Sequence, residues 1–350
     1  MNDPKNPEII ISNRKIGLDH PPFVIVEIGI NHNGDMDKAI QMIMDACNQG
    51  AECVKFQCHI LEDEMSRHAR DVIPGNANVS IYEIMEKSTF TLEQTKHLKN
   101  LTESLGMIYM STPFSRAAAD RLEDLGVPAY KIGSGECNNY PLIEHIAKFG
   151  KPIILSTGMN SIESIRPAVE IFRKYKTPYS LLHCTSMYPT PYDKVRLGAL
   201  ELISQEFQDA VIGLSDHSLG IYTCLGSVPL GARILEKHFT SNKEWKGPDV
   251  PISIDPAELR DLINGSVAIH QSLGGNKEIL EEEQVTIDFA YASVVSIQDI
   301  KEGDTFSYDN LWVKRPGTGE ILAKQFTDLL GKKANRDIER DSQLRWDDVC

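Results

Sequence analysis

Positive charge is scarce in this chain. Lysine and arginine number 36 against 50 aspartates and glutamates, a formal net charge of −14. A chain this acidic makes a poor binder of nucleic-acid backbones, so nucleic acid is not an expected partner, although a local basic pocket for one small anion is compatible with it. Long apolar runs are missing as well. No stretch reaches the roughly 18–20 residues that a spanning helix needs, so no membrane partner is expected. Met1 to Glu8 is polar and rich in Pro and Asn, with no apolar core of a signal peptide. Cysteine pairs are the third absence. The seven cysteines are scattered, odd in number and form no CxxC. They read as reduced thiols acting as small hydrophobes, which places the protein in the cytoplasm. What is present is ordinary for a folded chain: 350 residues, 41% hydrophobic and 25% charged. That excludes a wholly disordered, collagenous or small disulfide-stapled protein. The length suits two domains, one of which can be a large barrel.

One pattern recurs from Phe23 to about Gln271. A short apolar, β-branched run is followed by a polar turn and then by an amphipathic stretch. The runs are Phe23–Ile30, Cys53–Gln57, Met107–Pro113, Ala129–Gly135, Pro152–Gly158, Tyr179–Thr185, Val211–His217 and Ile234–Thr240. Each fits a strand buried on both faces, as in a parallel sheet. Helical spacing follows in Met36–Asn48, Leu92–Leu105, Ser115–Leu125, Ile162–Tyr175 and Pro256–Leu273. Eight strand–helix units in about 250 residues is the arithmetic of a TIM (β/α)8 barrel, here assigned to residues 1–273. A doubly wound sheet is the competitor, and even spacing favours closure. The interval from His59 to Thr91 is long, as functional loops and lids often are. Gly274-Gly275-Asn276 breaks the last helix, and residues 274–289 read as a polar linker. Residues 290–350 read as a small domain of short strands and turns.

TIM barrels keep their chemistry at the C-terminal ends of the strands. There the chain carries Glu27, Lys55, Gln57, Thr112, Lys131 and Ser134 in its first half. The second half adds Ser156, Ser186, Tyr188, Ser215, His217, Glu236 and His238. Lysine in a buried strand is expensive unless paired. A core carboxylate would satisfy either lysine. Two lysines among hydroxyls and glycines also suit a phosphate or carboxylate pocket. His217 and His238 end adjacent strands. They suit either hydrogen-bonded core groups or a divalent ion that keeps most of its shell open as a Lewis acid. Glu236 should share a strand face with His238, whereas Asp216 should point away from His217. Glu27 is either a lysine's partner or a group for acid–base work.

Several stretches together resemble the sialic acid synthases. They are Glu27-Ile28-Gly29-Ile30-Asn31-His32-Asn33-Gly34, Ile73-Pro74-Gly75-Asn76-Ala77, Ser111-Thr112-Pro113-Phe114-Ser115 and Tyr130-Lys131-Ile132-Gly133-Ser134-Gly135-Glu136. Gly213-Leu214-Ser215-Asp216-His217, Glu236-Lys237-His238-Phe239-Thr240 and Asn310-Leu311-Trp312-Val313-Lys314-Arg315-Pro316-Gly317 complete the set. The resemblance runs in order from about residue 10 to the C-terminus and is strongest to the bacterial N-acetylneuraminate synthases. It implies a TIM barrel followed by an antifreeze-like (SAF) domain. It implies an enzyme that condenses phosphoenolpyruvate with N-acetylmannosamine and water to give N-acetylneuraminate and phosphate. It further implies Mn²⁺, with Mg²⁺ or Co²⁺ as alternatives, and a homodimer in which the C-terminal domain is swapped over the partner's barrel. By the same resemblance His217 and His238 hold the metal. Lys55, Thr112, Lys131, Ser134, Ser156, Ser186 and Ser215 hold phosphoenolpyruvate. Gln57, Asn76, Tyr188, Asp249 and the partner's Arg315 hold the sugar. Glu27, Glu136 and Glu236 are the catalytic carboxylates. One departure stands out: Ser186 follows Cys184-Thr185 where the family pattern has asparagine, and serine has shorter reach.

Within the family, a synthase of legionaminic or pseudaminic acid, acting on a 6-deoxy diacetamido sugar, is the alternative, since such specificity rests on a few pocket contacts. Outside it, a Schiff-base lyase would use a desolvated lysine as nucleophile. The sixth strand end, where such lyases carry theirs, reads His183-Cys184-Thr185-Ser186 and has none. Ice binding by the C-terminal domain is disfavoured by its charge and turns.

Overall fold

A computed structural model describes residues 6–75 and 78–350. Its contacts divide the chain into two units, Met1–Leu273 and Gly274–Cys350.

The first unit opens with a hairpin, β1 (Glu8–Ile11) and β2 (Arg14–Gly17), paired antiparallel. Eight strands then run parallel: β3 (Phe23–Gly29), β4 (Cys53–Cys58), β5 (Ile108–Pro113), β6 (Tyr130–Ile132), β7 (Ile153–Ser156), β8 (Tyr179–Cys184), β9 (Val211–Asp216) and β10 (Ile234–His238). β3 pairs with both β4 and β10, and the ladders continue round to β5 on one side and β6 on the other. β5 and β6 then pack side by side and close the ring. The fold is a TIM barrel with helices outside it, as expected from the repeat.

Helix boundaries follow the local chemistry. Asp35 caps helix Met36–Asn48 by accepting the N–H groups of Asp37 and Lys38. That helix buries Ala39, Met42, Ile43 and Ala46, the three-and-four spacing of one face. Helices Leu92–Ser104 and Pro256–Gln271 start with capping boxes, Thr91 with Gln94 and Asp255 with Glu258. Helix Ile81–Ser88 occupies part of the long interval before Thr91 and is capped by Ser80.

Alternation splits each barrel strand into two columns. The outward column, such as Val24, Val26 and Ile28 or Leu181, packs on the helices. The inward column starts apolar and ends polar. Its lower layer is Ile25, Cys53, Met110, Ala129, Ile154, Leu182, Val211 and Ile234. Ile9, Ile11 and Ile16 of the hairpin join this cluster and seal the floor of the barrel. The hairpin lies partly in the segment that reads as a polar N-terminus in the sequence.

The second unit has its own core, including Val294, Ile300, Phe306, Leu311, Phe326, Leu329 and Leu344. β11 (Ser293–Ser296) and β12 (Leu311–Lys314) pair antiparallel within it. Within residues 274–289, where a linker is read from the sequence, a helical turn at Glu281–Glu283 leads into helix Gln284–Ala290. Among the described residues no helix is long and apolar enough to cross a membrane.

Candidate active site

The upper layer of the inward column forms a cavity of about 300 Å³. Two lysines and two carboxylates cross its base. Lys55 Nζ lies 2.6 Å from Glu27 Oε2 and donates to Thr112 Oγ1 at 2.9 Å. Lys131 Nζ donates to Ser156 Oγ at 2.7 Å and sits 3.5 Å from Glu236 Oε1. Glu236 also accepts from Ser215 Oγ at 2.9 Å, and its Oε2 is 4.0 Å from Lys55. All four charged groups are almost fully buried. Burial is the largest influence on each. It pushes Glu27 upward and Lys131 downward. Burial alone would raise Glu236 and lower Lys55, but the two lysines hold Glu236 low, and Glu236 with Glu27 holds Lys55 charged.

Each lysine can thus be satisfied by a core carboxylate and still present donors to an incoming anion. Ser134 and Ser186 stand above this base on the loops that follow β6 and β8. The Gly158 N–H donates to Ser134 Oγ at 2.9 Å. Ser186 Oγ is buried without a hydrogen-bond partner. A Cβ on Gly158 would collide with the hydroxyls of both serines, so only glycine leaves this cradle open.

The two histidines meet across the mouth, with ring centroids 5.4 Å apart. Nδ1 of His217 is 2.9 Å from the Thr185 carbonyl. A carbonyl can only accept, so Nδ1 carries a proton. Against the downward push of burial, the Cys184 thiol, 3.7 Å from the same nitrogen, and the Thr185 carbonyl raise the ring's pKa above the usual imidazole value. Burial holds His238 well below the usual imidazole range, so it is neutral. Its Nδ1 makes no hydrogen bond, and Asp249 Oδ2 lies 3.8 Å from it. A neutral His238 and a His217 that gives up its Nε2 proton on binding would suit a divalent cation, so cation binding there would release a proton. Among the described residues no group of three or more His, Cys, Asp or Glu side chains gathers for a metal. A cation held by the two imidazoles would therefore take its other ligands from water or substrate.

Behind the histidines, a buried ion pair fixes the strand ends. Lys237 Nζ is 2.6 Å from Asp216 Oδ2, with both side chains wholly buried. Asp216 also accepts from Ser218 Oγ at 2.9 Å. Asp216 and Lys237 each neighbour one of the histidines in sequence, on the outward face that alternation assigns them. Removing Lys237 would leave a buried carboxylate unpaired. Lys237→Met is expected to cost about 3–5 kcal/mol. Urea unfolding followed by circular dichroism checks this, and a cost below about 1 kcal/mol would refute it.

A second hollow opens beside the first and shares Gln57, Tyr188 and His238 with it. Ile81, Ile84 and Met85 of helix Ile81–Ser88 give it an apolar wall, and Asp249 a polar one. Burial pushes Asp249 up to about 6.

The structure thus gathers most of the residues that the sequence singles out. Glu136 is left outside. The strand expected over Ala129–Gly135 is only Tyr130–Ile132, and a tight 3-10 turn at Ser134–Glu136 follows. That turn sends Ser134 into the cavity and Glu136 into a neighbouring hollow with Asp63, Glu64 and Arg116. There Glu136 accepts from Asn139 Nδ2 at 2.6 Å. Asn76 lies outside the described residues. Arg315 belongs to the second unit. Sequence reading missed His59 and Glu64. His59 Nε2 is 3.0 Å from Gln57 Oε1, and its Nδ1 is 2.8 Å from Glu64 Oε2. His59 stands two residues beyond Gln57, just past the end of β4, so alternation could have pointed to it. Glu64 ends the short helix Leu61–Glu64, and nothing in its spacing ties it to the site.

This geometry has known counterparts. A model of the NeuB family matches residues 42–278, and a model of the SAF domain matches residues 291–349. The chain is 37% identical over 331 residues to the N,N'-diacetyllegionaminic acid synthase of Campylobacter jejuni, covering 92% of this chain and 98% of that one. It is 34% identical over 335 residues to the human N-acetylneuraminate-9-phosphate synthase, covering 95% of this chain and 93% of that one. Among solved structures, an N-acetylneuraminic acid (sialic acid) synthetase from Leptospira borgpetersenii superposes with a TM-score of 0.73 at 34% identity. That superposition covers 81% of this chain and 95% of the other. The chain belongs to the NeuB family, with the TIM barrel and C-terminal SAF domain of a sialic-acid-synthase-type enzyme.

Proposed function

We propose that this enzyme condenses phosphoenolpyruvate with N-acetylmannosamine and water, giving N-acetylneuraminate and phosphate. The observation that carries this reading is the base of the cavity, where Lys55 and Lys131 stand beside a ring of hydroxyls. Phosphoenolpyruvate is a compact trianion, and two buried cations with neutral donors suit it. Lys55, Thr112, Lys131, Ser134, Ser156, Ser186 and Ser215 would hold its phosphate and carboxylate. Gln57, Tyr188 and Asp249 border the adjoining hollow, which has room for the open-chain sugar. Its apolar wall suits an N-acetyl methyl group. His217 and His238 would hold a divalent cation, Mn²⁺ with Mg²⁺ or Co²⁺ as alternatives. When bound, the cation would polarise the sugar's aldehyde oxygen.

The bond changes follow from this arrangement. C3 of phosphoenolpyruvate attacks the aldehyde carbon and positive character develops at C2. The aldehyde oxygen takes up a proton as it becomes a hydroxyl. Water adds at C2 and gives up one proton, and the tetrahedral intermediate loses its hydroxyl proton as the C–O bond to phosphate breaks, leaving the ketone and inorganic phosphate. Glu27 and Glu236 flank the cationic base and are placed to steady the developing charge or accept the proton of the attacking water. A domain-swapped homodimer, with the partner's Arg315 on the N-acetyl group, belongs to the same proposal. Sedimentation as a monomer would refute that part.

The legionaminic reading is the second one, favoured by the 37% identity to the Campylobacter enzyme. Phosphate release separates the two. With Mn²⁺ present, N-acetylmannosamine is expected to trigger release from phosphoenolpyruvate, and EDTA to abolish it. Release only with the 2,4-diacetamido-6-deoxy sugar would overturn the substrate and keep the mechanism. Release that survives EDTA would overturn the role of the histidines.

A further inference from the structure

Gln57 points an amide into the site, and an amide has two ends. Its Nε2 lies 3.3 Å from Glu27 Oε1, and its Oε1 lies 3.0 Å from His59 Nε2. Against the upward push of burial, the Lys55 ammonium 2.6 Å from Glu27 Oε2 favours the ionised carboxylate, whose Oε1 faces Gln57 as an acceptor. The amide must then turn its NH2 group to Glu27 and its carbonyl to His59. A carbonyl demands a proton on His59 Nε2. On the other side of the ring, Glu64 Oε2 is 2.8 Å from Nδ1. A carboxylate there demands a proton on Nδ1 as well. A neutral imidazole has one proton and satisfies only one side.

From this count of protons we infer that His59 is a doubly protonated positioning residue, paired with Glu64, which locks the Gln57 amide with its NH2 end toward Glu27 and the substrates. The inference rests on the proposed placing of Gln57 and Glu27 at the reacting centre. His59 is well suited to hold this form. It is only 3% exposed and stacks on Phe114 with ring centroids 4.5 Å apart. Glu64 neutralises its charge inside the fold. The titratable groups that feel this pair are His32, which His59 lowers, and Glu136, which Glu64 raises. Lys55, Lys131 and Glu236 surround the Glu27 end of the chain. If His59 lost its Nε2 proton, that nitrogen would accept instead, and the NH2 end of Gln57 would be drawn to both sides at once.

Two measurements on the full-length protein test this. The first is the ¹⁵N spectrum of histidine-labelled protein at neutral pH, with the His59 signals assigned by their loss in His59→Gln/Glu64→Gln. Protonation of both ring nitrogens is expected. A singly protonated His59 would overturn the inference, whether or not the protein releases phosphate. The second is the pH profile of kcat for phosphate release. His59→Gln/Glu64→Gln can donate in the same direction along the chain with no titratable group. It is expected to restore at least about tenfold of the kcat lost in His59→Leu, and to lose the part of the alkaline fall that belongs to His59. Equal rates in the two variants, or an alkaline limb identical to the wild type, would mean that His59 is only structural. If wild-type protein releases no phosphate with any sugar, the proposed function fails, and the spectrum alone decides the protonation of His59.

Discussion

Replacing Lys55 with methionine is expected to lower kcat/KM for phosphoenolpyruvate by at least about a thousandfold and to destabilise the fold as well. The side chain is 3% exposed and serves two carboxylates and Thr112 at once. Without it, Glu27 and Glu236 share one remaining lysine in a site closed to water from below. Breaking a buried pair by removing one partner costs about 3–5 kcal/mol. The same ammonium is one of two cations at the base available to a phosphate or carboxylate. A charge-assisted hydrogen bond to a substrate anion is worth roughly 1.5–3 kcal/mol, and every 1.4 kcal/mol is about tenfold. The misplaced carboxylates add the rest. Arginine is not expected to rescue, since its planar fork needs more room than the packed base allows. Steady-state phosphate release and thermal unfolding of Lys55→Met check both parts. A variant within tenfold of the wild type would sink the proposed anion site.

Gly158→Ala is the second large effect, and it is specific to one substrate. The added methyl would sit on the Ser134 and Ser186 hydroxyls, nearer than van der Waals packing permits. Both hydroxyls must swing away, and with them go two of the proposed phosphate donors. The KM for phosphoenolpyruvate is expected to rise about a hundredfold, near 2.7 kcal/mol. The KM for the sugar should change little, because Asp249 and the apolar wall of Ile81, Ile84 and Met85 line the other hollow. Ser186→Ala, which removes one hydroxyl and adds nothing, should raise the KM by no more than about tenfold. If Gly158→Ala and Ser186→Ala behaved alike, the cradle would not be a steric one.

The barrel was legible because its constraints are periodic. Ile25 and Glu27, or Ile154 and Ser156, are two apart, so one column carries both floor and chemistry. The convergence of polar groups at eight strand ends could be read from that spacing alone. Alternation likewise separated Glu236 from Asp216. The failures are aperiodic. β1 and β2 have four residues each, joined by a turn in which Ser12 takes a left-handed φ of 54°, and strands so short carry no pattern. Glu136 was misplaced because the chain leaves β6 after three residues and turns. A continued strand would have pointed Glu136 differently. His59 meets Gln57 two residues on, just beyond the end of β4, where the apolar run that marks the strand has already stopped. The substrate roles rest on the resemblance, because spacing shows where polar groups converge but not what they bind.

The sealed floor has a kinetic consequence. Among the described residues, a cavity plugged from below by Ile9, Ile11 and Ile16 opens only away from that floor. Lys55 lies level with Glu27 in the ladder, and Gln57 stands two residues nearer the opening. On the proposed function, whatever occupies the lysines would have to arrive before the sugar lies over it, and inorganic phosphate left at the bottom would wait until the product above had gone. The reaction would then follow a compulsory order, last in and first out, with the traffic set by three isoleucines far from any chemistry.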